Sequence, residues 1–340
     1  MVTEKLDALG KDYEKTLQRC SEILNGGGIA AIPTETVYGL AASAYSDSAI
    51  LKVFEAKGRP QDNPLIVHIS DMDMISDVVS YLPESAKKCA ERFWPGPLTM
   101  VLPKSPKIAK SVSAGLSTVA VRMPSNKIAR DIISKSGLPL AAPSANISGA
   151  PSPTTANHVI SDLDGKIDAI VLGEDCEVGV ESTVIALFGD KPKLLRPGAV
   201  TLEQLREILP DITVDKAVLS QPEKGEKVAS PGMKYKHYAP KTEKFLVEGS
   251  SEDFAKFVNS KENTVAVCFK EEKELIKIKS IVYGSMTDES TLAKSVFSVL
   301  RQVDTLGVKE AYIHAPSKSG VGLAVFNRLI RAAAFKVIEL

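Results

Sequence analysis

The chain has 340 residues, enough for about two domains that each bury a core of their own. Forty-two Lys and Arg balance 42 Asp and Glu, so no global field holds the protein on nucleic acid or on an anionic membrane, and any anion site must be local. No apolar run nears the roughly 20 residues that span a bilayer, and no basic-then-apolar leader opens the chain, which sets the expectation of a soluble, cytoplasmic protein with no membrane partner.

Residues 11–25 place Tyr13, Leu17, Cys20 and Leu24 at helical spacing and end in Asn25-Gly26-Gly27-Gly28. The short apolar run Ile29 to Ile32 delivers Pro33-Thr34-Glu35-Thr36-Val37-Tyr38-Gly39 to a strand end, where open α/β sheets often build ligand sites. The triple glycine lacks the Gly-Lys-Ser/Thr of a phosphate loop. Thr34 and Thr36 offer hydroxyls either to a ligand or to a helix cap.

The next helix is capped by Ser46 or Asp47, buries Ile50, Val53 and Phe54, and stops at Gly58 with Pro60 beyond it. Lys57 and Arg59 flank that stop. Cations in a last helical turn favour the negative end of the dipole and need no ligand, yet here they precede Asn63-Pro64 and an apolar strand, Leu65 to Ile69, with a histidine inside it. Alternation puts Leu65, Val67 and Ile69 on one face and Ile66 with His68 on the other. His68 is either a packing residue or part of a site.

Residues 72–93 carry helical spacing broken at Pro83, and Trp94-Pro95-Gly96-Pro97 is a rigid loop before the strand Leu98 to Leu102. The strand beginning at Thr118 delivers Arg122 near its end, where a guanidinium is either solvated or available to a carboxylate. Leu138 to Ala142 is a further strand, followed by Ser144-Ala145-Asn146 and Pro151-Ser152-Pro153; these small polar residues let a ligand approach closely, although turn chemistry explains each singly. Asp168 to Leu172, Ser182 to Leu187 and Lys193 to Leu195 continue the strands, Arg196-Pro197-Gly198 closes the last, and Leu202 to Leu209 is helical. Because strands and helices do not alternate strictly, residues 13–205 read as an α/β domain on a twisted, mixed sheet.

Over 206–241 periodicity fades and Pro and Gly accumulate, as in a linker. Its second half, Ser230 to Pro240, is aromatic and basic, which fits a lid over the first domain's site or a docking strap. Residues 242–340 alternate short strands (Phe245 to Val247, Val265 to Phe269, Ile281 to Tyr283, Ala311 to Ile313) with helices, the clearest being Leu292 to Leu306 and Val321 to Phe335. Strict alternation predicts a smaller, Rossmann-like, parallel three-layer α/β domain. Cys20, Cys89, Cys176 and Cys268 have neither Cys-x-x-Cys nor Cys/His ligand spacing and read as buried thiols, with no metal site expected.

Taken together, the Pro33 to Gly39 segment, Lys57-x-Arg59 with Asn63 and His68, Ser144-x-Asn146, Glu181-Ser182-Thr183, Arg196-Pro197-Gly198 and the Ser230 to Pro240 linker resemble the two-domain threonylcarbamoyl-adenylate synthases, a YrdC-type catalytic domain joined to the long-form C-terminal domain. The resemblance covers nearly the whole chain. It implies a nucleotidyltransferase that condenses L-threonine, bicarbonate and ATP, with Mg²⁺, to threonylcarbamoyl-AMP and pyrophosphate, for threonylcarbamoyladenosine modification of tRNA by a separate transferase complex. Direct tRNA binding stays open.

By the same resemblance, Thr34, His68, Arg122, Ala142 and Ser182 line a threonine pocket. Arg59, Asn63, Thr118, Ser144, Asn146, Ser152 and Arg196 contact ATP, joined from the linker by Gly232, Tyr235 and His237 as a lid. Lys57 and Arg59 are the catalytic pair that neutralises phosphate charge. Two other readings compete: a carbamoyl-transfer domain, against which no acylphosphatase-like or zinc-finger region is present, and an RNA-binding module, against which the zero net charge speaks.

Overall fold

The computed structural model describes residues 2–218, 220 and 242–340. The expected lid residues Gly232, Tyr235 and His237 therefore lie outside the described residues. The chain divides into two compact units: the first holds most residues up to 220, the second those from 242 together with two short segments, 149–151 and 178–180.

The first unit runs β1 (Glu4–Asp7), α1 (Tyr13–Asn25), β2 (Ala30–Ile32), β3 (Gly39–Ser43), α2 (Asp47–Lys57), β4 (Ile66–His68), α3 (Ile75–Val78), α4 (Glu84–Phe93), β5 (Leu98–Pro103) and β6 (Thr118–Arg122). It continues through α5 (Lys127–Ser136), β7 (Leu140–Ala141), α6 (Ala156–Leu163), β8 (Ala169–Leu172), β9 (Thr183–Ala186), β10 (Lys193–Arg196), α7 (Leu202–Ile208) and β11 (Thr213–Val214). Its 11 strands form one sheet in the order β1-β8-β2-β3-β7-β4-β6-β5-β9-β10-β11. The sheet is mixed, as the irregular alternation implies: β4 and β6 pair parallel, β5 and β6 antiparallel, β5 and β9 parallel again.

Local chemistry sets the elements that carry the site. Ser46 is extended and its hydroxyl accepts the Ala49 amide at 3.2 Å, which starts α2. Gly58 ends the helix in the left-handed region (φ 59°, ψ 36°), where a side chain is disfavoured, and the amides of Gly58 and Arg59 reach back to the Glu55 and Phe54 carbonyls. The chain can then turn sharply enough for Lys57 and Arg59 to leave the helix end in different directions.

The two faces of the central strands differ. Leu65, Val67, Ile69, Met100, Val121, Ile185 and Leu194 belong to the main apolar core. The opposite face carries a much smaller cluster of Ile66, Val101, Ala120, Val184, Ala186 and Leu195. By period-two alternation the polar residues His68, Thr99, Thr118, Arg122 and Ser182 belong to this second face.

Register lines them up. His68 pairs with Leu140 on one side and Arg122 on the other. The step after Met100 opposite Val121 sets Thr99 against Arg122; Thr99 pairs in turn with Val184, and Val184 with Arg196. One transverse row thus crosses β7, β4, β6, β5, β9 and β10. All four cysteines are buried and free, as expected.

The second unit runs β12 (Glu243–Glu248), α8 (Ser251–Asn259), β13 (Thr264–Cys268), β14 (Ser280–Val282), α9 (Glu289–Thr305), β15 (Glu310–His314), α10 (Gly320–Ala332) and β16 (Val337–Glu339). The sheet is β14-β13-β15-β12-β16 with every pair parallel, so the parallel expectation holds and a fifth strand joins the four expected ones. Among the described residues no helix is long and apolar enough to cross a membrane.

Gly198 shows how closely the row is packed at its β9 end: a Cβ there would lie 2.3 Å from the Thr183 amide nitrogen and 2.7 Å from the Ser182 carbonyl carbon. Both neighbours are backbone and cannot swing aside. Gly198→Ala should destabilise the protein by about 2 kcal/mol, the scale of an overpacked interior, and should lower activity because the shift falls on Ser182; an unchanged urea midpoint together with unchanged turnover would refute this.

Candidate active site

Lys57 is the most constrained cation of the first unit. The side chain is 2 % exposed, and its ammonium donates to the backbone oxygens of Ser144 and Asn146, both at 2.5 Å, and to Asn146 Oδ1 at 3.4 Å. Burial and the nearby Arg59 charge push its pKa well below that of a free lysine, while three acceptor oxygens engage all three hydrogens of the charged form. The Ser148 amide also bonds the Lys57 carbonyl at 2.7 Å. The end of α2 and the 144–148 loop are one clasped structure.

The expected phosphate neutralisers therefore part company. Lys57 lies beneath the loop with its donors committed, whereas Arg59 is half-buried at the loop's edge and donates Nη2 to the Pro64 carbonyl at 3.4 Å. Asn63 is buried next to it, and Thr118 begins β6. Thr118 and Arg122 are four residues apart on one strand, about 13 Å, so they mark the two ends of a site rather than one contact point.

At the other end, the Arg122 guanidinium is buried and held from three sides. Nε donates to the Gly96 carbonyl at 3.2 Å, Nη1 donates to Thr36 Oγ1 at 2.8 Å, and Nη2 lies 2.7 Å from Glu35 Oε1. Glu35 is equally buried and accepts the Ser125 amide at 3.0 Å. Thr34 closes its own turn: its hydroxyl donates to the Val37 carbonyl at 2.5 Å and accepts the amides of Thr36 and Val37. The turn presents Thr36 to Arg122.

His68 sits beside Arg122 with its Nδ1 3.2 Å from the Ile66 carbonyl. Burial, reinforced by the Arg122 charge, pulls its pKa down to about 3, so the imidazole is neutral at any physiological pH. Ala142 follows β7 and bonds its amide to the Ile66 carbonyl at 2.9 Å, which brings the backbone of the threonine-pocket candidates into one patch.

Ser182 joins the two ends. Its hydroxyl accepts Arg196 Nη2 at 3.1 Å and shares a 2.7 Å hydrogen bond with Thr99 Oγ1, while its carbonyl accepts Arg196 Nε at 3.0 Å. Ser152 donates to Glu181 Oε1 at 2.6 Å. Sequence reasoning singled out neither Glu35 nor Thr99. A threonine inside the otherwise apolar strand Leu98 to Leu102 was the available sign for the latter; Glu35 lay inside a recognised segment with nothing to separate it from its neighbours.

Comparison with known proteins identifies the family. A family model described as telomere recombination, covering Sua5, YciO and YrdC proteins, matches residues 22–198, and the C-terminal domain of threonylcarbamoyl-AMP synthase matches residues 200–334. The threonylcarbamoyl-AMP synthase of Bacillus subtilis is 44% identical over 329 residues, 95% of this chain and 94% of its own; that of Pyrococcus abyssi is 43% identical over 321 residues, 92% of each. The crystal structure of Pyrococcus abyssi Sua5 complexed with L-threonine superposes with a TM-score of 0.89 at 38% identity, covering 100% of both chains. The chain belongs to the two-domain threonylcarbamoyl-AMP synthase family.

Proposed function

We infer that the protein condenses L-threonine, bicarbonate and MgATP to threonylcarbamoyl-AMP and pyrophosphate. The observation that carries this reading is the chain of polar side chains across one sheet face: His68 pairs with the buried Arg122, Thr99 stands opposite Arg122, and Thr99 is joined through the Ser182 hydroxyl to Arg196. That row can hold an amino acid at one end and phosphates at the other. Mg²⁺ would be supplied with ATP and would offset part of the phosphate charge.

The reaction joins two anions. The threonine amine attacks the carbon of bicarbonate and water departs, leaving a carbamate; a carbamate oxygen then attacks the α-phosphorus and pyrophosphate leaves in line. Arg122 holds the threonine carboxylate, and Thr34, His68, Ala142 and Ser182 shape the pocket around the rest of the amino acid. Arg59 and Arg196 meet phosphate charge, and Asn63, Thr118, Ser144, Asn146 and Ser152 seat the nucleotide, so positioning and electrostatics supply most of the acceleration. Because a carbamate decomposes in water, a linker lid carrying Gly232, Tyr235 and His237 has a chemical purpose. The product passes to a separate threonylcarbamoyl transferase acting on tRNA in the cytoplasm.

Mass spectrometry of the product from ATP, L-threonine and ¹³C-bicarbonate tests the reading. The expected species is threonylcarbamoyl-AMP carrying one heavy carbon, formed one for one with pyrophosphate. Pyrophosphate release that does not depend on threonine would sink it.

Lys57 acts in this scheme by holding the Ser144–Asn146 loop in its nucleotide-binding shape. Lys57→Met keeps the apolar stem but strips three acceptors of their donor, and turnover should fall by about 10², the scale of losing one electrostatic group. ATP affinity should fall with it while threonine affinity stays near wild type, measured by calorimetry; a loss confined to threonine would contradict the assignment.

His68 also makes a stability prediction. The unfolded chain takes a proton near pH 6.5 while the folded protein refuses it until about 3, so the unfolded state binds more protons in that window and stability falls as pH drops through it. The loss from this one group is about 1.4 kcal/mol per pH unit. Urea midpoints between pH 7 and 5 should show a shallower pH dependence in His68→Gln; equal slopes would refute the cause.

A further inference from the structure

We propose that Glu35 is a positioning residue for threonine: it fixes the Arg122 guanidinium as a buried, charge-balanced fork whose remaining Nη hydrogens are kept for the substrate carboxylate. This rests on the reading of Arg122 given above. Of the three guanidinium nitrogens, Nε is committed to Gly96 and Nη1 to Thr36. Nη2 is different. It is ion-paired with Glu35 Oε1 at 2.7 Å, a contact that engages one of its two hydrogens. Glu35 therefore supplies opposite charge on one edge of the fork and leaves the second hydrogen of Nη2 for a ligand.

The carboxylate is itself built for that duty. Oε1 is anchored by the Ser125 amide at 3.0 Å, Oε2 is buried with no hydrogen-bond partner, and the whole residue is 4 % exposed. Burial alone would raise its pKa; the Arg122 charge and the Ser125 amide more than offset this and leave it below the ordinary carboxylate value. A charged oxygen left dry and unbonded costs stability unless the charge beside it is the purpose. A carboxylate ligand meeting Nη2, together with the second hydrogen of Nη1, would find the fork already oriented and partly neutralised, which limits both the entropy lost on binding and the desolvation of a naked cation.

Steady-state kinetics on the full-length protein, with threonine and ATP varied separately, tests this. Glu35→Gln keeps the shape and removes the charge, and it should raise the KM for threonine by about tenfold or more while leaving the KM for ATP within about twofold, with L-threoninol, which has no carboxylate, inhibiting wild type and variant equally. Glu35→Asp should recover part of the loss. If Glu35→Gln gives no cooperative unfolding transition, Thr36→Val, which frees only Nη1, carries the test and should shift threonine KM in the same direction by a smaller factor. Equal losses for both substrates, or wild-type threonine KM in a folded Glu35→Gln or in Thr36→Val, overturns the proposal. Arg122→Gln separates the two readings: if it spares threonine binding, the assignment of Arg122 has failed; if it abolishes binding while Glu35→Gln does not, only the role of Glu35 has.

Discussion

Placing an ammonium and a guanidinium inside one α/β sheet is the constraint around which the first unit is arranged. A cation out of water must be surrounded by acceptors or by opposite charge, at a cost of several kcal/mol per ion otherwise. The protein solves the problem twice, in different ways. Lys57 receives three oxygens from the 144–146 loop, and Arg122 receives one carbonyl from Gly96 and one hydroxyl and one carboxylate from the neighbouring residues Thr36 and Glu35. In both cases the solution joins pieces of chain that the fold must then keep in register, so the electrostatic requirement becomes a geometric one.

That difference decides what each cation can do. An ammonium has three hydrogens, and Lys57 uses all of them on the protein, so its charge reaches a ligand only through the dipoles of the loop it holds. A guanidinium has five, and Arg122 spends three, on Gly96, Thr36 and Glu35, which leaves two. The same planar group can be anchored on one edge and offered on the other. Lysine in the Arg122 position would retain the charge and lose this separation of duties.

Much of this was legible in the residues. The Ser46 start and Gly58 stop of α2 follow from capping chemistry, and the split of Leu65, Val67 and Ile69 from Ile66 and His68 follows from strand alternation. Both are local properties, decided within one turn or one strand. The partners of the buried cations are not: Arg122 reaches Thr36 across 86 positions and Lys57 reaches Asn146 across 89. Strand order was equally hidden, because placing β9 beside β5 depends on which hydrophobic faces meet, and nothing in either segment names its neighbour. The same limit holds for the second unit, whose alternation implied a parallel sheet but not the buried His314, with Nδ1 2.5 Å from Glu272 Oε1 and Nε2 3.1 Å from the Gly249 carbonyl, tying the end of β15 to the residue after β12 and to the helical turn after β13.

The position of Ser182 adds one further step. Its hydroxyl is shared between Thr99 and Arg196, and Thr99 stands opposite Arg122 in the sheet register, so Arg196 and Arg122 are separated by only two side chains. A hydroxyl that accepts from Arg196 has one hydrogen left to donate, and in this structure Thr99 is within reach of it. A ligand that takes that hydrogen leaves the Ser182 oxygen able to accept from both Arg196 and Thr99, with Thr99 as the donor. Such a shared hydroxyl links the two arginines through neighbouring strands, so a change at one reaches the other through two side chains.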